Sequence, residues 1–209
     1  MVQLIPAQDI TLSQLTELFG LTITADDQFF TEWMDNLPEL TDIEEQQLDR
    51  VKSNYISLIN RHTLSENMVK MVVLEHLLDL ADFYRLPFDV KDEKSVEISV
   101  LDEDKIIRGR LDFLVLKNQL WLAIIESKNA AISLRGAIPQ CLAYMLNNPL
   151  PQRPIFGLLT NGDDFVFIKL TQANTPQYAL SDKFTLWQQE NELYKVLSIL
   201  KKLGQLISE

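Results

Sequence analysis

Two apolar runs, KIIRGRLDFLVL (105–116) and LWLAIIESK (120–128), flank the polar turn Lys117-Asn118-Gln119. Their β-branched, aromatic and leucine-rich content around a short polar break predicts a β-hairpin. The chain sets one carboxylate, Asp112, near the start of this unit. It sets a second carboxylate and a lysine, Glu126 and Lys128, at the end. A pivot near Asn118 places Asp112 opposite residues 124 to 126. Glu126 and Lys128 are two residues apart and share a face of their strand. The spacing therefore predicts that Asp112, Glu126 and Lys128 converge at one end of the sheet.

Two carboxylates held close in a dry site repel, and burial raises the cost. A divalent cation removes the problem. Hard oxygen donors suit Mg²⁺, which takes one or two carboxylates together with waters and phosphate oxygens, and Mn²⁺ is the expected substitute. The carbonyl of Ser127, between the two side chains, offers a further ligand. The ammonium of Lys128 would stand where it can orient an attacking water or neutralise charge building on a phosphate. Such a set suits metal-assisted phosphodiester hydrolysis.

The rest of the chain supplies elements around the hairpin. Thr11 or Ser13 caps a short helix that Gly20 ends. TDIE, from Thr41, is a capping box for a helix over 43–60, with Leu48, Val51, Tyr55, Ile56, Leu58 and Ile59 on its apolar stripe. Ser65 opens a second long helix reaching residue 86, with Met68, Val72, Leu74, Leu77, Leu78 and Leu80 as its apolar surface. Val96, Ile98 and Val100 alternate with polar residues, as in a strand. Leu134, Ala137, Ile138, Cys141, Leu142 and Met145 mark a helix capped by Ser133, which Pro139 kinks or delays. PIFGLLT and FVFIKL read as strands around a tight Asn161-Gly162 turn. A last helix covers roughly 186–205. The order is helices, a three-strand meander, a helix, two strands and a helix, which is α/β or α+β with a mixed sheet. Residues 1–60 read as an acidic helical extension packed on the core, and 61–209 as the main domain. Phe29, Phe30 and Trp33, amid acidic residues, read as a docking patch rather than a base-stacking platform.

Asp112, thirteen intervening residues and then Glu126-Ser127-Lys128 resemble the PD-(D/E)xK nuclease signature. Gln140 and Tyr144, in QCLAYM, are similar to the QxxxY motif of several branches of that superfamily. SENMVKMVVLEHLLDLADF resembles its first core helix, whose glutamate often joins the metal site; Glu66 matches that position better than Glu75. RGRLDFLVL with AIIESKNA most resembles the N-terminal nuclease domain of type I restriction enzyme R subunits. The resemblance covers about residues 62–170, and Leu111 stands where the signature has proline. It implies a restriction-endonuclease-like mixed sheet flanked by helices and a Mg²⁺-dependent endonuclease acting on DNA. Asp112, Glu126 and Glu66 would be the metal acids, with Lys128, Gln140 and Tyr144 as catalytic or supporting groups. Arg108, Arg110 and Arg135 flank the site and are candidates to receive phosphates. For Arg108 and Arg135 a surface role fits equally well. Gln140 and Tyr144 also fit simple packing on the sheet, and Glu66 also fits a helix-dipole role beside its cap.

Charge bears on partners. The net charge is −11, which argues against non-specific binding of nucleic acid. Residues 1–60 hold 11 acidic and 2 basic side chains, so most of the acidity lies there and the remainder is near neutral. A catalytically silent nuclease-fold module, contacting a basic protein partner through that acidic segment, is therefore the competing expectation. A nucleotide-binding enzyme is less favoured, because no Gly-rich phosphate loop is present. His62 and His76 lack zinc-ligand spacing, and Cys141 on an apolar stripe reads as core. One cysteine, no signal-like start and no apolar run of ~20 residues suggest a cytoplasmic protein without a membrane span. Homo-oligomer formation stays open.

Overall fold

Capping chemistry sets the helix starts. The computed structural model describes residues 3–100, 105–117, 120–126, 134–148 and 150–206; for Gln3, Glu66, 92–100, Lys105, 110–114, 116–117 and 120–126 it describes the backbone alone. Helix α1 (Leu12–Phe19) opens on a capping box, with Thr11 Oγ1 accepting from Gln14 N and Gln14 Oε1 accepting from Thr11 N. It closes on Gly20, left-handed at φ 67°. Helix α2 (Asp42–Ile59) repeats the device with Thr41 and Glu44. Its buried stripe is Leu48, Val51 and Tyr55.

The long helix expected after Ser65 exists in three parts: α3 (Glu66–Val69), a π turn (Lys70–Leu74) and α4 (Glu75–Leu80). Ser65 Oγ accepts from Met68 N at 3.3 Å, so the cap is where the sequence puts it. The π turn closes with Glu75 N on Lys70 O, one residue wider than an α turn. That extra residue rotates the helix face. Val69 and Val73 are buried, while Met68, expected inward, is 37% exposed. The helix stops at Leu80, short of residue 86, because Asp82 turns left-handed at φ 61° and Phe83 N bonds back to Leu78 O.

The strands are β1 (Gln3–Pro6), β2 (Thr22–Ile23), β3 (Asp89–Val100), β4 (Lys105–Lys117), β5 (Leu120–Glu126), β6 (Ile155–Thr160), β7 (Asp164–Thr171) and β8 (Gln177–Thr185). They form one mixed sheet in the order β1-β4-β5-β6-β7-β8-β2, with β3 also paired to β4. β1–β4, β5–β6 and β2–β8 are parallel, and the remaining pairs are antiparallel. β1, β2 and β8 carry no clear strand pattern in the sequence. The first two are too short to show a period, and β8 mixes exposed and buried positions irregularly. Through β1 and β2, residues from the first quarter of the chain join the sheet itself.

Helices cover both faces of the sheet. α5 (Ile138–Leu146) and α1 pack on one face, where Leu15, Cys141, Leu142 and Tyr144 meet Ile107, Ile155, Leu159 and Ile168. α2, the α3–α4 segment and α6 (Leu193–Leu206) pack on the other, against Phe156, Leu158, Phe165 and Phe167. Alternate residues of β6 thus enter opposite cores, and every residue of that strand is buried, as a central strand covered on both sides requires.

Two helices start later than their expected caps or bounds, and for α5 the delay is one of the two effects expected of Pro139. α5 begins at Ile138 after a 3-10 turn (Leu134–Gly136), with Pro139 in its first turn and Ala137 rather than Ser133 at the cap position. Proline tolerates the first turn because its missing N–H would have no partner there. Ser133 lies outside the described residues. α6 begins at Leu193, not near 186, because Asn191 Oδ1 accepts from Leu193 N and Glu192 Oε2 accepts from Thr185 N. The aromatic patch docks as expected. Phe30 is 3% exposed with its ring 6.1 Å from that of Phe156, and Trp33 meets Phe184 edge-on at 6.2 Å. Among the described residues, no helix is long and apolar enough to cross a membrane.

Candidate active site

The β4–β5 hairpin has the register that the sequence predicts. Lys117 pairs with Leu120 and Phe113 with Ile124, so the pivot falls at 118–119. Asp112 is the β4 residue just before that last pair, and Glu126 is the final residue of β5. Continuing the register by one step sets the backbone of Asp112 opposite Ile125. The side chains of Asp112, Glu126 and Arg110, and all of Ser127 and Lys128, lie outside the described residues.

On the far side of β5, Glu126 is the parallel partner of Thr160 at the end of β6. Thr160 is buried, as is Asn161 after it. Asn161-Gly162 forms the expected tight turn into β7, with Gly162 at φ 91°. Parallel neighbours end together here, and the carboxyl end of such a strand pair is where open α/β sheets place their ligands.

α5 delivers the two motif residues next to β4. Gln140 Nε2 donates to Tyr144 Oη at 3.0 Å, and Tyr144 is 1% exposed. The tyrosine ring lies directly on Gly109 of β4, three residues before Asp112. A Cβ at Gly109 would stand 2.1 Å from Tyr144 Oη and 2.5 Å from the Ala7 Cβ, so only glycine fits. The packing role for Tyr144 is therefore real, and it ties the motif to the strand that carries Asp112. Nothing local in RGRLD shows that a helix will cross at its glycine, so the sequence alone does not reveal this contact.

The remaining candidates lie on other parts of the fold. Glu66 is the first residue of α3, and its side chain lies outside the described residues. Glu75, its alternative, is exposed at the start of α4 beyond the π turn. Arg108 is exposed on β4 opposite Pro6. Arg135 is exposed on the 3-10 turn before α5, at the mouth of a cavity of about 460 Å³ with Leu134, Ile138, Leu159 and Lys183 in its lining. His62 and His76 are exposed, and among the described residues no group of three or more His, Cys, Asp or Glu could hold a metal ion. Cys141 is fully buried, and burial pushes its thiol far above the ordinary range.

A family model described as "Type I restriction enzyme R protein N terminus (HSDR_N)" matches residues 12–175. The match runs from the start of α1 past the end of β7 and takes in every candidate residue named above. It begins well before residue 62, where the resemblance in the sequence was expected to start. No curated protein matches the chain.

Proposed function

Because the chain belongs to the family of type I restriction enzyme R protein N termini, we propose that it is a divalent-metal-dependent deoxyribonuclease that hydrolyses DNA phosphodiester bonds. The observation that carries this reading is the hairpin register. Continued one step past the Phe113–Ile124 pair, it runs Asp112, in the middle of β4, toward Glu126, the last residue of β5, and the Gln140–Tyr144 pair sits on β4 at Gly109.

The donor chemistry fits Mg²⁺ or Mn²⁺. The carboxylates of Asp112 and Glu126 and the Ser127 carbonyl are hard oxygens, and Glu66 is a third acid on the adjoining helix. Side chains alternate in direction along a strand. Joining positions 112 and 126 on one ion therefore takes a one-residue bulge past the Phe113–Ile124 pair, where the observed β4–β5 pairing ends. When bound, the ion supplies Lewis-acid polarisation of the phosphate and neutralises its charge. Lys128 orients the attacking water and offsets negative charge as the water oxygen bonds to phosphorus. The bond from phosphorus to the 3′ oxygen breaks, leaving 5′-phosphate and 3′-hydroxyl ends. Gln140, fixed by Tyr144, positions that water or steadies the β4 end of the site.

The test is cleavage of single- and double-stranded DNA in Mg²⁺ or Mn²⁺ by wild type and Lys128→Ala. Loss of the lysine should slow cleavage by about 10²-fold or more. Equal rates would contradict the mechanism. The acidity of residues 1–60 favours a second reading, a silent nuclease-fold module that binds a basic protein. Calorimetry separates the two: Mn²⁺ binding that Asp112→Asn leaves unchanged, or no binding at all, would support the silent module.

A further inference from the structure

The β6–β7 turn is tied down far beyond the needs of a hairpin loop. Thr160 Oγ1 accepts from Gly162 N at 3.0 Å, and Asn161 Oδ1 accepts from Asp163 N at 3.1 Å and Asp164 N at 2.8 Å. Tyr55 of α2, fully buried, donates its hydroxyl to Asp163 Oδ1 at 2.8 Å. Gly162 leans on α3. A Cβ there would stand 2.7 Å from Val69 Cγ1 and 3.0 Å from Tyr55 Oη. The turn therefore closes on two helices at once, on α2 by a hydrogen bond and on α3 by an apolar contact too close for any residue but glycine.

Both ends of this joint lead to proposed metal ligands. The turn leaves β6 at Thr160, the ladder partner of Glu126. Val69, on which it rests, ends the single helical turn that Glu66 begins. The π turn starts at the next residue and changes the helix register beyond, so the contact at Val69 fixes the first turn in particular. Moving the joint would change the distance between the helix start carrying Glu66 and the strand end carrying Glu126.

We propose that Tyr55, Asp163 and Gly162 are positioning residues that set Glu66 against Glu126 and so tune divalent-cation affinity. This rests on the metal-site reading above. It also gives the acidic N-terminal region a part in the site, because Tyr55 reaches the joint from α2. Outer-shell partners of this kind orient ligands without touching the ion.

Isothermal titration of the full chain with MnCl₂ tests this without any need for turnover. Tyr55→Phe and Asp163→Ala should each weaken Mn²⁺ binding about tenfold, and Asp163→Asn, which keeps an acceptor for the tyrosine, no more than about twofold. Glu66→Gln should weaken binding as well, and Tyr55→Phe should add nothing further in that background, since both act through one carboxylate. Melting without metal shows whether each variant is folded, and Asp163→Ala serves if Tyr55→Phe is not. Wild-type affinity in a folded Tyr55→Phe protein, or losses that multiply with Glu66→Gln, would overturn the positioning role and leave the metal site standing. A wild-type protein that binds no Mn²⁺ would overturn both.

Discussion

A single methyl group at position 109 has nowhere to go. In the native backbone it would stand 2.1 Å from Tyr144 Oη and 2.5 Å from the Ala7 Cβ. Gly109→Ala should therefore cost about 1–3 kcal/mol, read from the urea midpoint, as overpacked cores do. The loss should shrink in a Tyr144→Phe background, which removes the nearest atom. Cys141 gives a second check at this scale. Its thiol is buried and its pKa is pushed up by that burial, so it holds its proton near neutral pH. Iodoacetamide should leave it unlabelled in the native protein and label it in urea. Rapid native labelling would contradict the packing of α5. The register of the hairpin that carries Asp112 and Glu126 was legible because a hairpin is a local object, whose spacing survives into the fold. Tyr55 and Asp163 were not, because 108 residues separate them and neither sits in a motif.

At the scale of elements, short-range chemistry was legible and accumulated geometry was not. Thr11, Thr41, Ser65 and Gly20 fix helix ends through their own side chains or backbone freedom, and each does so where the sequence places it. The π turn has no such signature. It shifted the buried stripe from Met68 and Val72 to Val69 and Val73. The Glu44 cap also makes a pH prediction. Partial burial raises the Glu44 pKa, but hydrogen bonds from Lys201 and Thr41 outweigh it and hold the carboxyl below its ordinary 4.5. A carboxyl depressed by folding stabilises the folded state above its unfolded pKa. That contribution fades as pH falls through the lowered folded value. Glu44→Gln keeps a side-chain acceptor for the cap and loses the ion pair with Lys201. It should cost about 1 kcal/mol at pH 7 and flatten the acid side of the stability profile below pH 4.5. An unchanged acid slope would contradict the pairing.

The whole molecule shows why a division at residue 60 is structurally expensive. β1 and β2 stand at the two ends of the strand order, paired to β4 and β8, and Leu48, Val51 and Tyr55 of α2 fill the core with α6 and the α3–α4 segment. Burying each such side chain contributes roughly 1.5–3 kcal/mol. Deleting residues 1–60 should abolish cooperative unfolding; a truncated chain that melts cooperatively near the wild-type temperature would show that the N-terminal region is dispensable. Most acids of that region are exposed, while Glu32 and Glu44 pair with Lys169 and Lys201 from later in the chain, so acidity in the sequence did not distinguish an appendage from part of the body. The proposed function is that this body holds metal to cut DNA. The most direct measurement is the cleavage rate of an end-labelled duplex in Mg²⁺ by wild type and by Asp112→Asn, with matched melting curves. Cutting that a chelator stops and that Asp112→Asn slows by about 10²-fold or more is the predicted result. No cutting by wild type, or equal cutting by both proteins, would contradict it.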